Sequence, residues 1–460
     1  GHAEAALMDV KGRNVVVVGL GRTARALVRL LLREGAQPFV SDAAAHPQGS
    51  PALGELDALG VPYETGGHTD ARFRGAHLIV PSPGVSPAIG PIAGARAAGV
   101  PIASELEVAW RHAPGPILAV TGTNGKTTVT EMLAAMLRAA GRRVTLAGNN
   151  AYPASAAALE TGPADVWVVE ASSYQLELVD TFRPQVSAVL NLTPDHLARH
   201  GTMERYAAAK AKIMMRQHPG DAAVLNADDT WTAGMRPPPA VVRHGFSLAG
   251  PVERGGWSDG ETIYADGQAL ARRADVPLPG RHNLANALAA LAMVQAGGYG
   301  VGAALAGLRG FGGVAHRIEH VATVGGVDYY NDSKATNLDS LRVALESFDR
   351  PLVLLAGGQG KGEDYRAAAP WLAGRVRRLI ALGDEAEALV AAWGEVVSAE
   401  RADDMEAAVH AARAAAQAGD VVLLSPACAS FDAYPNFEAR GEHFKACVRA
   451  LAPAPGKVAT

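Results

Sequence analysis

The sequence predicts an α/β protein in which helices cover mainly parallel sheets. Strand-like apolar runs alternate with helical patterns along the chain, for example VVVVG at 15–19, ILAVTG at 117–122 and DVVLLSPA at 420–427. Such alternation is typical of parallel strands joined by crossover helices. The chain has 460 residues, more than one hydrophobic core usually serves, so we expect about three domains.

Two stretches rich in proline or glycine mark the domain boundaries. RHAPGPI at 111–117 lies between two strand–helix blocks. LRGFGGVAHRIEH at 308–320 precedes a further series of strand–helix blocks. Clusters of this kind interrupt regular structure. Between them, the stretch 236–280 is typical of loops with short strands. The domains that we expect are 1–112, 113–314 and 315–460.

The composition excludes several classes of function. Charged residues make up 19% of the chain and the formal net charge is −4, so the chain has no basic field for nucleic acid. No apolar run reaches the roughly 18 residues that a membrane helix needs. The two cysteines, Cys428 and Cys447, lack metal-ligand spacing and are typical of a reducing compartment. We therefore expect a cytoplasmic protein without nucleic-acid or membrane partners.

The first strand–helix unit, at 14–42, predicts a nucleotide-binding turn. Gly19, Gly21 and Ala24 fit the pattern G-x-G-x-x-G/A, and Asp42 follows the second strand. In this pattern the glycines let the backbone approach a phosphate at the helix N-terminus. An NAD-dependent oxidoreductase is one interpretation, but it requires a catalytic base and a hydride-acceptor pocket in the later domains.

The strongest signal is ILAVTGTNGKTTVTEMLAAML at 117–137. A buried strand, a glycine loop and a helix N-terminus aim backbone N–H groups at a phosphate chain, while lysine neutralises charge and a threonine hydroxyl can hold Mg²⁺. Val120 stands where the strict GxxxxGK[ST] pattern has its first glycine, so a chance strand–turn–helix is the alternative. The predicted ATP loop consists of Gly122, Thr123, Asn124, Gly125, Lys126, Thr127 and Thr128.

Three further candidates come after the loop. Glu170 ends the strand DVWVVE, where Mg²⁺ would need an oxygen ligand, although a solvated strand end is the alternative. His196, in NLTPDH, either binds a metal or substrate or makes structural hydrogen bonds. Lys210, in ERYAAAKAKIM, is on its own best explained as a solvated helix lysine.

Two asparagines begin a later helix. In HNLANALAA, Asn283 and Asn286 share one face, where their amides either read an adenine edge or cap the helix. Arg317 follows in HRIEH.

The last third of the chain carries clusters at strand ends. NDSKATN supplies Asp332, Lys334 and Thr336 at a strand-to-helix junction, which is typical of a ligand-binding turn but is explained in part by capping. Residues past strand ends commonly form ligand sites in open α/β sheets. GGQGKGEDY and SPACASFDAYPNFEARG add Lys361, Ser430 and Phe437.

Taken in order, GTNGKTT, NLTPDH, YAAAK, HNLANALAA, NDSKATN, GGQGKG and SPACASFDAYPNFEARG make the chain resemble the Mur ligases. The resemblance covers nearly the whole chain and is greatest to the members that add D-glutamate to UDP-N-acetylmuramoyl-L-alanine. It implies a monomer of three domains: an N-terminal Rossmann-like UDP-binding domain, a central P-loop ATPase-type domain and a C-terminal Rossmann-like domain that brings the amino acid.

The resemblance also implies a reaction. ATP would phosphorylate the carboxylate of the UDP-linked substrate, the amine of D-glutamate would attack the acyl phosphate, and a tetrahedral intermediate would expel phosphate. A carboxylate is a poor electrophile until one oxygen becomes a phosphate, and phosphoryl transfer needs positioning and charge neutralisation.

Residue roles follow position by position. Lys126 and Thr127 would serve the phosphates and a first Mg²⁺ ion with Glu170, and His196 would help to hold a second Mg²⁺. Lys210 would be carbamylated, which turns a cation that repels Mg²⁺ into an anion that attracts it.

The remaining matches concern ligand binding, apart from Lys334, which would act near the acyl phosphate. The implied nucleotide contacts are Asn283, Asn286, Arg317 and Asp332. The implied D-glutamate contacts are Thr336, Lys361, Ser430 and Phe437. The implied contacts to the UDP-linked substrate are Thr23, Asp42, Ser82, Gly84, Asn149, Ser172 and His196. Because only alanines directly follow Asp42 in SDAAAHP, we expect uridine recognition to use backbone groups.

The residues allow three alternative functions to be compared. A related ligase could add another amino acid, including L-glutamate, since no residue by itself settles chirality. The oxidoreductase conflicts with an ATP loop and its metal carboxylate, and a non-catalytic nucleotide-binding module conflicts with the presence of Lys126, Glu170, His196 and Lys210 together.

Overall fold

The computed structural model describes residues 9–149, 152–160, 162 and 166–451. It is an α/β protein of three domains, each built on its own sheet of mainly parallel strands. Contacts group the chain into two units: the first contains the residues up to Val276 and Ala285–Gly310, and the second contains Pro277–Leu284 and the residues from Phe311 onward. The predicted fold class is confirmed.

The N-terminal domain has a parallel sheet. Its strands are β1 (Asn14–Val18), β2 (Gln37–Asp42), β3 (Tyr63–Thr65) and β4 (Leu78–Pro81), and its helices are α1 (Arg22–Arg33), α2 (Pro51–Leu59), α3 (Asp70–Arg74), α4 (Gly90–Ala97) and α5 (Glu105–Ala109), followed by a 3-10 turn at Trp110–His112. The strand order is β3-β2-β1-β4. The carboxyl ends of β1 and β4 are therefore neighbours.

The central domain has the largest sheet. Its strands are β5 (Ile117–Thr121), β6 (Val144–Gly148), β7 (Val166–Glu170), β8 (Val186–Val189), β9 (Ala222–Asn226), β10 (Val242–Ser247), β11 (Gly255–Ser258), β12 (Thr262–Ala265) and β13 (Gln268–Arg272). Its helices are α6 (Lys126–Ala139), α7 (Ala154–Leu159), α8 (Ser173–Glu177), α9 (Leu197–His200), α10 (Met203–Ala211), α11 (Thr230–Gly234), α12 (Arg281–Ala296) and α13 (Val301–Arg309), with a 3-10 turn at Arg273–Asp275.

In this sheet β5 lies between β7 and β8, and all three run parallel. Parallel strands bring their carboxyl ends to one edge, where ligand sites form in such sheets. The segments that follow β5, β7 and β8 therefore meet at one edge. The short strands β10–β13 agree with the prediction for 236–280, and only the pairs that involve β12 are antiparallel in that part of the sheet.

The C-terminal domain has a third sheet. Its strands are β14 (Glu319–Val324), β15 (Val327–Asn331), β16 (Leu352–Gly357), β17 (Val376–Leu382), β18 (Ser398–Arg401) and β19 (Val421–Leu424), and its helices are α14 (Leu338–Glu346), α15 (Ala369–Leu372), α16 (Ala386–Trp393), α17 (Met405–Ala415) and α18 (Phe437–Leu451), with a 3-10 turn at Tyr365–Ala368. The order is β14-β15-β19-β16-β17-β18, and β14 alone among these strands is antiparallel to its neighbour.

Buried carboxylates connect the N-terminal domain to the central domain within the first unit. The Glu107 carboxylate of α5 accepts hydrogen bonds from the backbone N–H groups of Asp180 (3.1 Å), Thr181 (2.8 Å) and Phe182 (3.2 Å). The Glu105 carboxylate accepts one from the Ser155 N–H. Burial raises the pKa of both carboxyl groups. These bonds hold α5 against the central domain.

Every strand that the sequence pattern placed between 15 and 427 is present, with ends that differ by a few residues. The boundaries at 112 and 314 remain predictions, and the ends of the expected outer domains at 1–8 and 452–460 lie outside the described residues. Within the described ranges, no helix is long and apolar enough to cross a membrane.

Candidate functional site

The predicted ATP loop lies between β5 and α6. Gly125 has φ +86°, and a Cβ atom there would lie 2.5 Å from Asn286 Oδ1. Gly122 has φ +158°, and a Cβ atom there would lie 2.9 Å from Leu190 Cβ. Glycine therefore provides both the backbone conformation and the space. The Asn286 side chain therefore lies directly against the loop.

Hydrogen bonds of Lys126 and of the Asn124–Asn191 pair stabilise the loop. The Lys126 Nζ donates to the carbonyl oxygens of Gly122 (2.9 Å) and Thr123 (3.2 Å), so its charge lies over the loop. The Asn124 N–H donates to Asn191 Oδ1 (2.8 Å), and Asn191 Nδ2 donates back to the Asn124 carbonyl (3.0 Å). The sequence analysis missed Asn191, although it stands in the quoted motif NLTPDH.

The predicted metal carboxylate is beside the loop. Glu170 ends β7 opposite Val120 of β5 and is 2% exposed. Its carboxylate accepts hydrogen bonds from the Thr127 hydroxyl (2.9 Å) and Asn149 Nδ2 (3.3 Å). The solvated strand end is therefore wrong. A hydroxyl and a carboxylate in contact are hard oxygen donors that fit Mg²⁺, which commonly takes one or two protein ligands and completes its shell with water and phosphate.

The candidate metal-binding residues do not form a preformed cage. Among the residues that the structure describes, no group of three or more His, Cys, Asp and Glu side chains could hold a metal ion. His196 is the N-cap residue of α9 and has φ +52°. Its Nδ1 lies 3.0 Å from the Tyr174 hydroxyl, and its Nε2 lies 3.3 Å from Asp195 Oδ2. The side chain is 45% exposed.

Lys210 is buried, and its interpretation as a solvated helix lysine is wrong. The side chain is 1% exposed, and Nζ donates to the Gly122 carbonyl (2.8 Å) and Thr121 Oγ1 (3.2 Å). Burial, together with the charge of Lys126, lowers the pKa of the Lys210 ammonium to about 6. At neutral pH the group is then mostly a neutral amine, which is the nucleophilic form.

One cavity of about 180 Å³ brings several predicted residues together. Tyr206 also contributes, with its hydroxyl 3.0 Å from Thr123 Oγ1 and its ring 5.0 Å from Lys210 Nζ. The sequence analysis did not select Tyr206 or Tyr174. Ser172 caps α8 through a capping box with Gln175. The lining residues are Pro83, Lys126, Asn149, Ser172, Ser173, Tyr174, His196, Tyr206 and Lys210.

The N-terminal turn has the expected close packing. Gly19 has φ +102°, and a Cβ atom there would lie 2.7 Å from Ser82 Oγ. Thr23 is half-buried in the first turn of α1, and Gly84 is exposed after β4. Gly19 and Ser82 thus bring the two predicted substrate segments together.

Asp42 has a side-chain partner that the sequence analysis overlooked. Its carboxylate accepts a hydrogen bond from the Ala44 N–H (3.0 Å) and lies 2.9 Å from His46 Nε2. The expectation of a uridine pocket with backbone groups alone omitted this imidazole, which lies four positions after Asp42.

In the second unit, the buried Asp332 carboxylate holds two chain segments together through hydrogen bonds. Its carboxylate accepts hydrogen bonds from the Ser425 hydroxyl (2.8 Å) and the Ile318 N–H (3.1 Å), and burial raises its pKa to about 7. Arg317 lies between His316 (φ +64°) and Ile318 (φ +44°), so Asp332 stabilises a strained turn around a predicted nucleotide contact. Asn283 is buried and donates from Nδ2 to the Pro279 carbonyl (2.7 Å).

The expected amino-acid contacts differ in exposure. Lys334 and Lys361 are exposed, and Lys361 Nζ lies 3.5 Å from Thr336 Oγ1. Ser430 is buried, and Phe437 is half-buried at the start of α18, edge-to-face with His316. The structure thus brings Thr336 and Lys361 together.

Arg440 is a functional candidate that the sequence analysis missed, although it stands in the quoted NFEARG. It is 2% exposed and donates to the carbonyls of Ser333 (2.8 Å), Cys428 (3.0 Å) and Ala429 (3.1 Å) and to the Ser333 hydroxyl (3.0 Å). Ala429 also pairs through its backbone with Gln359. One guanidinium therefore holds the NDSKATN and SPACAS segments together.

Three family models match the chain in order. A Mur ligase MurD-like N-terminal domain matches residues 13–104, a Mur ligase middle domain matches 120–294, and a Mur ligase, glutamate ligase domain matches 316–428.

The curated relatives match over nearly their whole length. A UDP-N-acetylmuramoylalanine--D-glutamate ligase from Pelotomaculum thermopropionicum is 43% identical and covers 97% of this chain and 99% of the relative. The ligase of the same name from Salinibacter ruber is 43% identical, and the match covers 96% of this chain and 99% of the relative. The one from Myxococcus xanthus is 40% identical, with 96% and 100% covered.

Solved structures agree on the fold. MurC from Thermotoga maritima has a TM-score of 0.58 at 20% identity, covering 96% of this chain and 100% of its own. MurF from Acinetobacter baumannii has a TM-score of 0.59 at 18% identity, covering 96% and 91%. The fold of this chain therefore recurs in solved proteins.

Proposed function

The chain belongs to the Mur ligase family, and from that premise we propose that it catalyses the ATP-dependent addition of D-glutamate to UDP-N-acetylmuramoyl-L-alanine. The reaction forms an amide bond and releases ADP and phosphate. The relatives that share 40–43% identity carry the name of this ligase. The single structural observation that carries the proposal is the cavity where the ATP-loop lysine, Asn149, Ser172, His196 and Lys210 meet.

The ATP loop prepares the first step. The backbone N–H groups at the start of α6 and the Lys126 ammonium neutralise the phosphates of ATP, while the substrate carboxylate attacks the terminal phosphorus. The bond from that phosphorus to the bridging oxygen breaks, ADP leaves, and an acyl phosphate forms. Thr127 and Glu170 would hold Mg²⁺, which supplies charge neutralisation for the transferred phosphoryl group.

The second step needs the amine of D-glutamate in its neutral form. It attacks the acyl carbon, the tetrahedral intermediate loses phosphate, and the amine proton passes to solvent or phosphate. We assign Lys334 to the acyl-phosphate chemistry and the binding of D-glutamate to Thr336, Lys361, Ser430 and Phe437. The contact between Lys361 and Thr336 supports this group, because a lysine is a suitable point charge for a carboxylate.

The remaining ligand contacts are proposed on the same basis. Thr23, Asp42, Ser82 and Gly84 would hold the UDP end of the substrate, with His46 beside Asp42 as an added polar group. The adjacency of Gly19 and Ser82 supports this pocket. The nucleotide contacts are proposed to be Asn283, Asn286, Arg317 and Asp332.

Lys210 is proposed to carry a carbamate. The buried amine donates to two neutral acceptors, and its low pKa makes it reactive toward CO₂. The amine nitrogen bonds to the carbon of CO₂ and its proton passes to solvent. The product is an anion whose oxygens would complete a second Mg²⁺ site with His196. A cation in the same place would repel the metal.

We further propose that the enzyme works in the cytoplasm as a monomer. The free cysteines, Cys428 and Cys447, support a reducing compartment. Sedimentation velocity over a range of concentrations tests the monomer, since a mass that rises with concentration would contradict it.

The activity is tested with purified protein, ATP, Mg²⁺, UDP-N-acetylmuramoyl-L-alanine and each glutamate enantiomer in turn. We expect phosphate release and a product with the mass of the added residue only with D-glutamate. Absence of product with D-glutamate would overturn the proposal. Product with L-glutamate alone would assign the chain to the variant that adds the other enantiomer.

A further inference from the structure

Arg199 makes three side-chain contacts, and the proposed ligase reaction assigns it no role. It lies on the short helix α9, and its side chain is 11% exposed. Its Nε donates to Glu177 Oε2 (3.0 Å), its Nη1 donates to the Pro83 carbonyl (2.8 Å), and its Cζ lies 4.0 Å from the centre of the Tyr174 ring. The guanidinium therefore connects α9 with α8 and with the segment that contains Pro83.

The three partners belong to two elements of the site, the segment 82–84 and the helix α8. Pro83 stands between Ser82 and Gly84, in the N-terminal segment proposed to hold the UDP-linked substrate. Tyr174 places its hydroxyl 3.0 Å from His196 Nδ1. Glu177 ends α8, the helix that Ser172 caps. Pro83, Tyr174 and His196 all line the same cavity.

The geometry requires an arginine. A guanidinium is planar, so it donates in its plane to Glu177 and Pro83 while its face covers the Tyr174 ring. A lysine ammonium can keep the ion pair with Glu177, but it cannot also reach the carbonyl and stack on the ring. An isolated surface ion pair would be worth little, whereas this side chain is nearly buried and bonds to a backbone carbonyl of another domain.

We infer that Arg199 is a positioning residue that sets the distance between the substrate segment 82–84 and the Tyr174–His196 pair. This inference rests on the proposed function. It assigns to Arg199 no contact with the reacting atoms. Through Pro83 it orients the segment proposed to hold the UDP-linked substrate, and through Tyr174 it orients the His196 imidazole. A shift of about 1 Å between such groups costs up to about a hundredfold in rate.

The test is Arg199→Lys, measured by steady-state kinetics with each substrate varied in turn. We expect the KM for UDP-N-acetylmuramoyl-L-alanine to rise about tenfold and kcat to fall severalfold, with the KM values for ATP and D-glutamate within about twofold. Calorimetric titration with the UDP-linked substrate alone should show the same loss of affinity without turnover. The melting temperature should stay near that of the wild type.

Two controls separate positioning from general structure. Glu177→Gln removes the ion pair and leaves the carbonyl and ring contacts of Arg199, so the KM should change less than about threefold. Arg205→Lys, at an exposed arginine on α10, should match the wild type. Equal kinetics for Arg199→Lys and wild type would overturn the inference, as would equal rises in all three KM values together with a lower melting temperature. A wild type that makes no product would instead overturn the proposed function.

Discussion

Lys210 in the first unit and Arg440 in the second are both buried cations, but they are held in opposite ways. Lys210 Nζ donates to two neutral acceptors, Thr121 Oγ1 and the Gly122 carbonyl, and burial lowers its pKa to about 6. Arg440 has four acceptors, and its pKa, although lowered by burial to about 10, keeps it charged at neutral pH. The first can lose its proton and react, while the second cannot.

This difference teaches how to separate chemical from structural residues within a motif. A buried amine whose hydrogen-bond acceptors are neutral is a candidate for modification or catalysis, because its neutral form is accessible. A buried guanidinium with a full set of acceptors is a clamp between chain segments. The motifs that resemble those of the family contain both kinds of residue, and the sequence alone does not distinguish them.

The largest effect is expected at Lys210. Lys210→Ala should lower kcat by about a thousandfold, because the proposed carbamate and its metal site are lost. A small added carboxylate should restore part of the activity. Product formation is the measurement, and intact-protein mass spectrometry of the wild type under CO₂ should show one added CO₂.

The matched control is Lys212→Ala, two positions further along, whose Nζ donates to the backbone carbonyls of Glu177 (2.7 Å) and Val179 (3.3 Å). It should keep activity within about threefold. Full activity in the unrescued Lys210→Ala variant would place Lys210 with Arg440, as a structural cation.

The next effect is expected at Arg440. Arg440→Met should destabilise the C-terminal unit by about 3 kcal/mol, because the buried carbonyls of Ser333 and Cys428 lose the guanidinium as donor, while the Ala429 carbonyl keeps the Gln359 N–H. Hydrogen exchange followed by mass spectrometry should show faster exchange in peptides that cover 425–433, and little change in peptides from α6. Arg449→Met, on the exposed side of the same helix, is the control. Unchanged exchange at 425–433 would refute the clamp.

The smallest effect concerns Asp332, the buried carboxyl of the second unit. Its pKa rises from 3.8 to about 7 on folding, so the folded state binds the proton more tightly. Stability should therefore fall as the pH rises between these values, by about 1.4 kcal/mol for each pH unit. Asp332→Asn keeps the acceptor for Ile318 and should remove this slope.

Urea unfolding of wild type and Asp332→Asn at several pH values tests this prediction, with hydrogen exchange of C-terminal peptides as the probe. Parallel stability curves for the two proteins would contradict the raised pKa. If Asp332→Asn is as stable as the wild type but inactive, Asp332 has a chemical role like that of Lys210, in agreement with a nucleotide contact.

Local patterns were sufficient for the strands, for the loop at 122–125 and for Glu170 beside it. Those predictions depend on hydrophobic periodicity, on glycines at positive φ and on the rule that parallel strands bring their carboxyl ends to one edge. The same patterns could not rank Lys210 above any other helix lysine, and they missed Tyr206, His46 and Arg440. Lys210, Tyr206 and Arg440 owe their roles to atoms from distant segments, whereas the contact of His46 with Asp42 is local.

The sequence by itself therefore determined the α/β domain order, the ATP loop and the motif residues from which the family is apparent, because these depend on short-range backbone chemistry. Only the tertiary structure decided which polar groups are buried and with which partners. Burial and hydrogen bonding to remote segments set the pKa of Lys210 and Asp332 and the contacts of Arg199 and Arg440. Those quantities do not exist until the chain has folded.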